Sequence, residues 1–462
     1  MNKLILALIT LLIILSCKKT HPSISSIKKE DLKGYYEQQG EGEIIEINDS
    51  IVTSYYSSTF NCFPAWKVSR NYFNTKTPTL TVIDDSTFVI EEGYTIFTYK
   101  KLKKKPELCK ELTEGQIQSN RYNFETLWHT FNEQYAFFKE RNINWKTIKH
   151  KYEVQFTEET PTFEFYLLLE KMISELKDEH SDIEVPEEFE EQWDELNAST
   201  DTLQYDKLAS KKILNKYVSN YSTYNLGQVS WGFIDNSTAY IQLNGMDGLA
   251  NYNPKSINQY WEIAEESDDY FKDVIEGAHY ISGLITKEIT NTEQCIIDLR
   301  FNGGGYDMVG LAFISHFIDK EYDIFKKRRR FKNGFAGEQT IKIKPSNDAY
   351  LKPVYILTSH YTVSAAETTI VATLNFPNFK RVGSNSNGAL SDVLSKELPN
   401  GWTYEMSNEV YESMDGKLYE VTGIPADINI KYPKDEEEFF KTLYRELNTA
   451  DKAIELVLNR DN

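Results

Sequence analysis

The chain has 462 residues, of which 40% are hydrophobic and 26% are charged, which excludes a disordered chain and a multi-span membrane protein. At about 150 residues per domain, this length predicts about three domains. The net charge of −19, from 51 basic and 70 acidic residues, argues against a general nucleic-acid binder, because affinity for phosphate requires clustered cations.

The N-terminus is typical of an export signal. A short positive start at residues 1–3 precedes an apolar run over residues 4–15, which has the length of a signal-peptide core and is short for a membrane span. Residues 14–17, Ile-Leu-Ser-Cys, resemble a bacterial lipobox, which predicts cleavage after residue 16 and a lipid on Cys17. The alternatives are an ordinary signal peptide or an uncleaved anchor, with Cys17 incidental. On the lipobox interpretation the protein is an exported bacterial lipoprotein, held at the membrane on the periplasmic or cell-surface side.

The remaining chain divides into regions with different residue patterns. Short apolar runs separated by turn residues predict strands near the N-terminus, aromatic residues at helical spacing follow, and strands then alternate with helices, which indicates an α/β core. The predicted regions are a tether at 17–30, a small β-rich domain at 31–105, a helical segment at 119–185, an acidic connecting segment at 186–226 and an α/β core at 227–462.

Three cysteines follow Cys17 in the sequence. Cys62 and Cys109 both lie in the N-terminal region and could form a disulfide in an oxidising compartment. Cys295 opens an apolar run and is expected to be a buried free thiol. No Cys and His spacing matches a zinc site, so no metal is predicted.

Two sequence clusters in the core have the residue types of a catalytic loop. Asp298-Leu-Arg-Phe-Asn-Gly-Gly-Gly305 follows a predicted strand, and its glycines allow backbone N–H groups to converge on an anion, although a tight turn is the alternative. Ser364 lies where a loop enters a helix, and helix-end N–H groups there favour developing negative charge. The alternative for Ser364 and Glu367 is a capping box, Ser-x-x-Glu.

A serine nucleophile needs a base that titrates near neutral pH, which points to histidine. The chain has seven histidines, and His180 is the one in a carboxylate-rich turn at the end of a predicted helix. His360 is closer to Ser364 in sequence but belongs to the same loop. Glu420 is a candidate to orient a base or a substrate.

Taken in order, five stretches resemble the C-terminal processing (tail-specific) serine peptidases, in the Ser/His branch that includes tricorn protease core domains. These stretches are Leu-Lys-Asp-Glu-His at 176–180, Asp-Leu-Arg-Phe-Asn-Gly-Gly-Gly at 298–305, Ser-Ala-Ala-Glu at 364–367, Leu-Pro-Asn-Gly-Trp at 398–402 and Glu-Val-Thr-Gly-Ile-Pro-Ala-Asp at 420–427. The resemblance covers about residues 120–432. It implies an α/β fold with a ClpP/crotonase-type core, preceded by the helical segment and the small β-domain.

The resemblance also implies roles for individual residues. Ser364 would attack a peptide carbonyl, His180 would act as its base, and Glu420 would assist. Backbone N–H groups at Gly304 and Ala365 would hold the oxyanion. Many relatives use a lysine soon after the serine, but residues 383–392 contain none, which favours the histidine.

The chain departs from the family pattern at two places. Tricorn-like enzymes carry a serine just before the histidine, whereas this chain has Glu179, so Asp178 or Glu179 could orient the imidazole instead. Many relatives carry a PDZ domain after the histidine segment, and residues 186–226 are too short and too acidic for one.

The resulting prediction is a serine-type endopeptidase that hydrolyses exported proteins through an acyl-enzyme on Ser364. Its partners would be a polypeptide substrate and, through the lipid anchor, a membrane, and no metal or organic cofactor is expected. The alternative is a lipoprotein on the same fold that binds a ligand or peptide without catalysis. A structural surface lipoprotein would leave the glycine loop unexplained.

Overall fold

The computed structural model describes residues 28–197 and 204–459. The predicted signal peptide at 1–16 and the lipidation site at Cys17 lie outside these residues. Within them, no helix combines the length and the apolar character needed to cross a membrane.

An antiparallel seven-stranded sheet fills the first part of the described chain, in the order β4-β3-β2-β1-β7-β6-β5. Its strands are β1 (Gly34–Gln38), β2 (Glu43–Ile47), β3 (Ile51–Ser57), β4 (Cys62–Ser69), β5 (Thr81–Asp84), β6 (Thr87–Glu92) and β7 (Thr95–Leu102), and helix α1 (Arg70–Lys76) joins β4 to β5. A disulfide joins Cys62, at the start of β4, to Cys109, in the segment after β7. It closes a loop of 47 residues, a cross-link worth about 3–4 kcal/mol in the chain-entropy account.

The helical segment packs its aromatic stripes into one core. Its helices are α2 (Glu114–Ile117), α3 (Asn120–Gln134), α4 (Trp145–Tyr152), α5 (Thr162–Ser174) and α6 (Glu190–Asn197). Phe124, Leu127 and Phe131 of α3 are fully buried against Phe165 and Leu169 of α5. The helical spacing of these residues therefore marks the inner faces of two packed helices.

The acidic segment 186–226 is more regular than the sequence suggests, because helix α7 (Tyr205–Tyr217) and strand β8 (Ser219–Tyr224) form within it. Strand β8 pairs with the next strand and is the edge of the core sheet. The core sheet thus begins at residue 219 rather than after 226. Ile213 and Leu214 of α7 are buried, so the helix is held by packing that its many polar residues conceal.

The core is a second seven-stranded sheet in the described residues, ordered β19-β15-β14-β11-β10-β9-β8. Its elements after β8 are β9 (Val229–Phe233), β10 (Thr238–Leu243), α8 (Ile257–Glu265), α9 (Tyr270–Glu288), β11 (Gln294–Asp298) and α10 (Asp307–Ile314). A hairpin of β12 (Tyr322–Phe331) and β13 (Gly334–Ile343) comes next. It is followed in chain order by β14 (Val354–Thr358), α11 (Ala365–Thr373), β15 (Phe379–Gly383), β16 (Val393–Glu397), β17 (Thr403–Ser407), β18 (Glu409–Ser413) and β19 (Ile428–Asn429). Strands β12, β13 and β18 form one small sheet, and β16 and β17 form another. Strands β10, β11, β14, β15 and β19 run parallel.

Both faces of this sheet are covered by helices. Along β10, Ala239 and Ile241 contribute to one hydrophobic cluster and Tyr240 to another, as the two-residue period of a strand requires. The sequence predicts one terminal helix over residues 436–458, but two helices form there, α12 (Glu436–Glu446) and α13 (Lys452–Leu458). This layered arrangement confirms the predicted α/β class with a preceding helical segment and an N-terminal β-sheet region.

Strand β17 attaches the helical segment to the core. Ile183 forms a β-bridge with Tyr404, and the Glu184 N–H donates to the Thr403 carbonyl at 3.0 Å. Tyr404 and Met406 are buried in the same cluster as the aromatic residues of α3 and α5. The turn after α5, which carries His180, is therefore fixed against the core.

Candidate active site

Ser364 lies at the junction between the loop that follows β14 and helix α11. Its backbone has φ 57° and ψ −127°, in the region that favours glycine. Such a conformation costs about 1–3 kcal/mol for a residue with a side chain, and strain of this size concentrates at functional sites. The Ser364 side chain makes no capping hydrogen bond to α11, so the capping-box interpretation of this serine is wrong.

Glu367 has a different task from the one that a capping box would give it. Its carboxylate accepts hydrogen bonds from the N–H groups of Gly388 and Ala389, both at 2.8 Å. The Ala389 carbonyl in turn accepts from the Ser364 N–H at 3.1 Å. Burial raises the pKa of Glu367 to about 7, and these N–H donors act against that rise. Glu367 thus fixes the 388–389 segment beside the serine.

The glycine loop approaches Ser364 closely. Gly304 has φ 106°, and a Cβ atom built on it would lie 2.6 Å from Ser364 Cβ and 3.1 Å from Ser364 Oγ. The Gly304 N–H donates to Asn302 Oδ1 at 2.9 Å, whereas Ala365 is the first residue of α11, where a helical N–H has no intrahelical acceptor. Of the two N–H groups predicted to hold an oxyanion, the one at Gly304 is therefore engaged by Asn302.

Buried polar contacts fix the two loops to each other. The Thr362 hydroxyl donates to the Leu299 carbonyl at 2.9 Å, and the Val363 N–H donates to the Asn302 carbonyl at 3.2 Å. Asn302 is fully buried, and its amide also donates to the Leu243 carbonyl at 3.0 Å. The sequence stretch that contains Asn302 was recognised, but the function of this side chain was not.

His180 is half-buried in the turn that follows α5, and its ring lies close enough to the Ser391 backbone to be influenced by it. Its Nδ1 atom is buried and has no hydrogen-bond partner among the described residues. Burial lowers the pKa of His180, while the nearby Asp178 and Glu179 carboxylates partly offset this effect. The imidazole is therefore neutral near pH 7. No hydrogen bond joins it to Ser364 in the described part of the chain.

The carboxylates predicted near His180 bind other groups. Asp178 Oδ1 accepts from the His180 backbone N–H at 3.1 Å, and Asp178 Oδ2 accepts from the Tyr135 hydroxyl at 2.7 Å. Glu179 is exposed and accepts from the Asn387 amide at 3.1 Å. In this structure neither carboxylate forms a hydrogen bond with the imidazole.

Glu420 belongs to an ion-pair network that the sequence did not reveal. Its Oε1 accepts from Arg141 Nη2 at 2.8 Å, and its Oε2 accepts from the Leu390 N–H at 2.9 Å. Arg141 Nη2 also lies 3.4 Å from Asp178 Oδ1. Burial and the Asp178 charge raise the pKa of Glu420, and Arg141 acts against that rise. Glu420 therefore fixes the backbone at 390, next to Ser391, and no hydrogen bond links it to His180 in the described residues.

Ser364 lines a cavity of about 680 Å³. Residues 305–308, after the glycine loop, form one wall, and residues 390–393 form another. Residues 90–95 and 97 of the N-terminal sheet form a further wall. The candidate active site therefore lies between the two large sheets, which no sequence motif indicated.

Asp307 connects these walls. Its carboxylate accepts hydrogen bonds from the Tyr94 hydroxyl of the N-terminal sheet, from the Tyr411 hydroxyl at 2.9 Å and from the Thr368 hydroxyl at 2.7 Å. Thr368 lies one turn after Ser364 on α11, and Asp307 begins the helix that follows the glycine loop. One half-buried carboxylate thus holds together the helix that begins after the candidate nucleophile and the helix that follows the glycine loop.

No group of three or more His, Cys, Asp or Glu side chains in the described ranges has an arrangement that could hold a metal ion. The chemistry that Ser364 can perform is nucleophilic attack by its hydroxyl beside helix-end N–H groups.

Comparison with solved structures identifies the fold. A protein from Parabacteroides merdae that is assigned as a peptidase matches with a TM-score of 0.54 and 20% identity, over 74% of this chain and 96% of that chain. Mature CPAF complexed with lactacystin matches with a TM-score of 0.52 and 11% identity, over 75% of this chain and 100% of that chain. At these identities the likeness establishes a shared fold.

Comparison with protein families identifies the enzyme class. Residues 237–430 match peptidase family S41, and residues 118–174 match the tricorn protease C1 domain. The two matches together span more than half of the chain, and the S41 match contains both Ser364 and the glycine loop. The chain therefore carries a peptidase S41 domain preceded by a tricorn C1 segment, as the sequence resemblance predicted, and it is a serine-type peptidase whose substrate is a polypeptide.

Proposed function

We propose that the protein is an endopeptidase that cleaves exported proteins through an acyl-enzyme on Ser364. The observation that carries this proposal is the strained backbone of Ser364, whose side chain caps no helix and lines a cavity against Gly304. A strained serine at a strand-to-helix turn is a known arrangement for a nucleophile. No structural role in the described residues accounts for the strain.

In the proposed reaction, Ser364 Oγ attacks the peptide carbonyl carbon while His180 accepts the hydroxyl proton. The C–N bond then breaks, the amine leaves with that proton, and an ester remains on Ser364. Water attacks the ester, gives its proton to His180, and restores the hydroxyl as the acid product departs. The Ala365 N–H faces the developing oxyanion, and Gly304 becomes a second donor when it exchanges Asn302 for the substrate oxygen.

His180 is supported as the base by its neutral state and by its unpaired, buried Nδ1. Its ring lies near the Ser391 backbone, which forms part of the cavity wall that Ser364 shares. Catalytic hydrogen bonds are often long in enzymes without substrate and tighten in the complex. We propose that the His180 side chain rotates when substrate binds and that this rotation brings the ring to Ser364. Asp178 is the proposed orienting carboxylate, because it is buried and accepts from the His180 backbone N–H, whereas Glu179 is exposed and bound to Asn387.

The test is covalent labelling by a fluorophosphonate probe together with hydrolysis of an unfolded protein. Wild type should be labelled, Ser364→Ala should show background labelling and hydrolysis, and His180→Gln should lose about 10³-fold or more in rate. Ser395→Ala and His129→Gln are the matched controls, because Ser395 does not line the cavity and His129 lies beside Glu125 and Glu133 on α3. Equal hydrolysis by wild type and Ser364→Ala would refute the proposal and favour a binding protein on the same fold.

We also propose that Cys17 carries the lipid anchor. The lipobox-like stretch supports this, and the Cys62–Cys109 disulfide is consistent with an oxidising compartment outside the cytoplasm. Metabolic labelling with a fatty acid should mark wild type and not Cys17→Ala, and the variant should leave the membrane fraction. Labelling of both proteins would exclude Cys17 as the lipidated residue.

A further inference from the structure

Asp392 has a carboxylate in the same cavity as Ser364. The side chain is accessible to the cavity, although protein atoms surround it, and its Oδ1 accepts from the Val393 N–H at 3.0 Å. No ion pair to Asp392 forms among the described residues. An exposed carboxylate that lines the same cavity as the candidate nucleophile, and that has no cation of its own among the described residues, is free to bind a positive group that enters the cavity.

The cations near Asp392 are already neutralised. Lys327, whose charge acts on Asp392, donates to Glu409 Oε2 at 2.6 Å. Arg329 lies 2.8 Å from Glu409 and 3.1 Å from Glu41. The carboxylates in this cluster outnumber these two cations once Asp392 and Asp307 are included.

The surroundings of Asp392 also shift the pKa of its carboxyl group. Burial raises its pKa to about 7, the Glu409 and Asp307 carboxylates add to that rise, and Lys327 opposes it. Asp307 does not bring a cation close to Asp392, because its own hydrogen-bond partners are three uncharged hydroxyl groups. A positive group that entered the cavity would therefore be attracted to Asp392.

Asp392 lies where it can contact a substrate side chain next to the cleaved bond. The Ala389 carbonyl binds the Ser364 N–H, and three residues of chain place the Asp392 α-carbon within about 11 Å of Ala389. The cavity between them is also lined by Tyr94, Met308 and Leu390. Apolar walls of this kind suit the methylene stem of a long cationic side chain.

We propose that Asp392 makes this peptidase select substrates that present a lysine or arginine side chain at the residue next to the cleaved bond. The inference rests on the proposed function, because it assigns the substrate preference of the Ser364 cavity. Asp392 would form a charge-assisted hydrogen bond with the substrate cation, and such a bond is worth on the order of 10- to 100-fold in selectivity.

The experiment compares kcat/KM for quenched-fluorescence peptides that differ only in one residue, Arg, Lys, Leu or Glu, before the cleaved bond. Wild type should prefer Arg and Lys over Leu by about 10-fold or more. Asp392→Asn and Asp392→Ser should lose that preference while cleavage of the Leu peptide stays within about 3-fold, which also shows that the variants fold. Asp392→Lys should shift the preference toward Glu.

Asp269→Asn is the matched control, because Asp269 lines the same cavity and the amide keeps the cap on α9. This variant should retain the preference for Arg and Lys. Cleavage that depends on Ser364 but shows no cationic preference, or a preference that survives in Asp392→Asn, would overturn this inference alone. Cleavage that persists in Ser364→Ala, or no cleavage of any peptide or protein, would overturn the proposed function as well.

Discussion

Replacing Gly304 with alanine should disable Ser364 without unfolding the core. The new Cβ would lie 2.6 Å from Ser364 Cβ, closer than atoms of this type approach each other, so one of the two loops must move. The φ of 106° adds backbone strain for alanine. Overpacking and backbone strain each cost about 1–3 kcal/mol. Because the displaced atom carries the candidate nucleophile, we expect kcat to fall by about 10² or more.

Gly303→Ala provides a control in the same loop. A Cβ at Gly303 would meet only the Tyr361 hydroxyl, at 3.9 Å, so this change should leave kcat within about 3-fold. Both variants should be assayed by the rate of fluorophosphonate labelling and by peptide hydrolysis, with thermal unfolding measured alongside. The reasoning fails if Gly304→Ala keeps wild-type labelling, or if Gly303→Ala loses as much activity as Gly304→Ala.

Two further predictions concern the N-terminal sheet. Tyr94→Phe removes a hydrogen bond to the Asp307 carboxylate and should lower kcat. Tyr99→Phe removes a comparable bond to a carboxylate inside the sheet, so it should lower the melting temperature and leave kcat unchanged. Equal kcat values for the two variants would contradict a link from Asp307 to the site. Replacing Cys62 and Cys109 together with serine should lower the free energy of unfolding by about 3–4 kcal/mol in denaturant titrations, and a change below about 1 kcal/mol would show that the disulfide constrains little.

The parts of the site that are local in sequence could be predicted. Ser364 and Gly304 belong to short stretches that combine glycines, a strand end and a helix start, so their chemistry was visible from neighbouring residues. The buried faces of α3 and α5 were also predicted, because their aromatic and apolar residues repeat with the period of a helix.

The parts that depend on distant contacts could not be predicted. Arg141 meets Glu420 across 279 positions of sequence, and Tyr94 meets Asp307 across 213. Neither Arg141 nor Tyr94 lies in a motif, so one sequence contains no signal of these pairs. The role of Glu367 was also missed because it depends on residues that are distant in sequence. The Ser-x-x-Glu spacing is correct for a helix cap, but the carboxylate accepts hydrogen bonds from Gly388 and Ala389.

Two further differences between the predicted and the observed elements lie in segments that are rich in polar residues. Helix α7 carries lysines on its exposed side, which concealed the buried residues Ile213 and Leu214 and made residues 186–226 read as irregular. The two C-terminal helices read as one because the break at Asp451 has no proline or glycine. Asp451 caps α13 and accepts from Arg300 at 2.8 Å, so a buried ion pair fixes that break.

The cavity explains why the N-terminal sheet belongs to the functional unit. The core alone supplies Ser364, the glycine loop and the 390–392 segment, but residues 90–95 and 97 complete the wall that faces them. The sheet is held to the core by Tyr94 and by the Gln339 amide, which donates to the Ile96 carbonyl at 2.9 Å. On the proposed function, we expect the residues around Ser364 and His180 to set how the bond is broken, and the N-terminal sheet, together with Asp392, to influence which polypeptide reaches it. Substitutions on β6 and β7 that avoid Tyr94 should then change substrate choice and leave probe labelling of Ser364 intact.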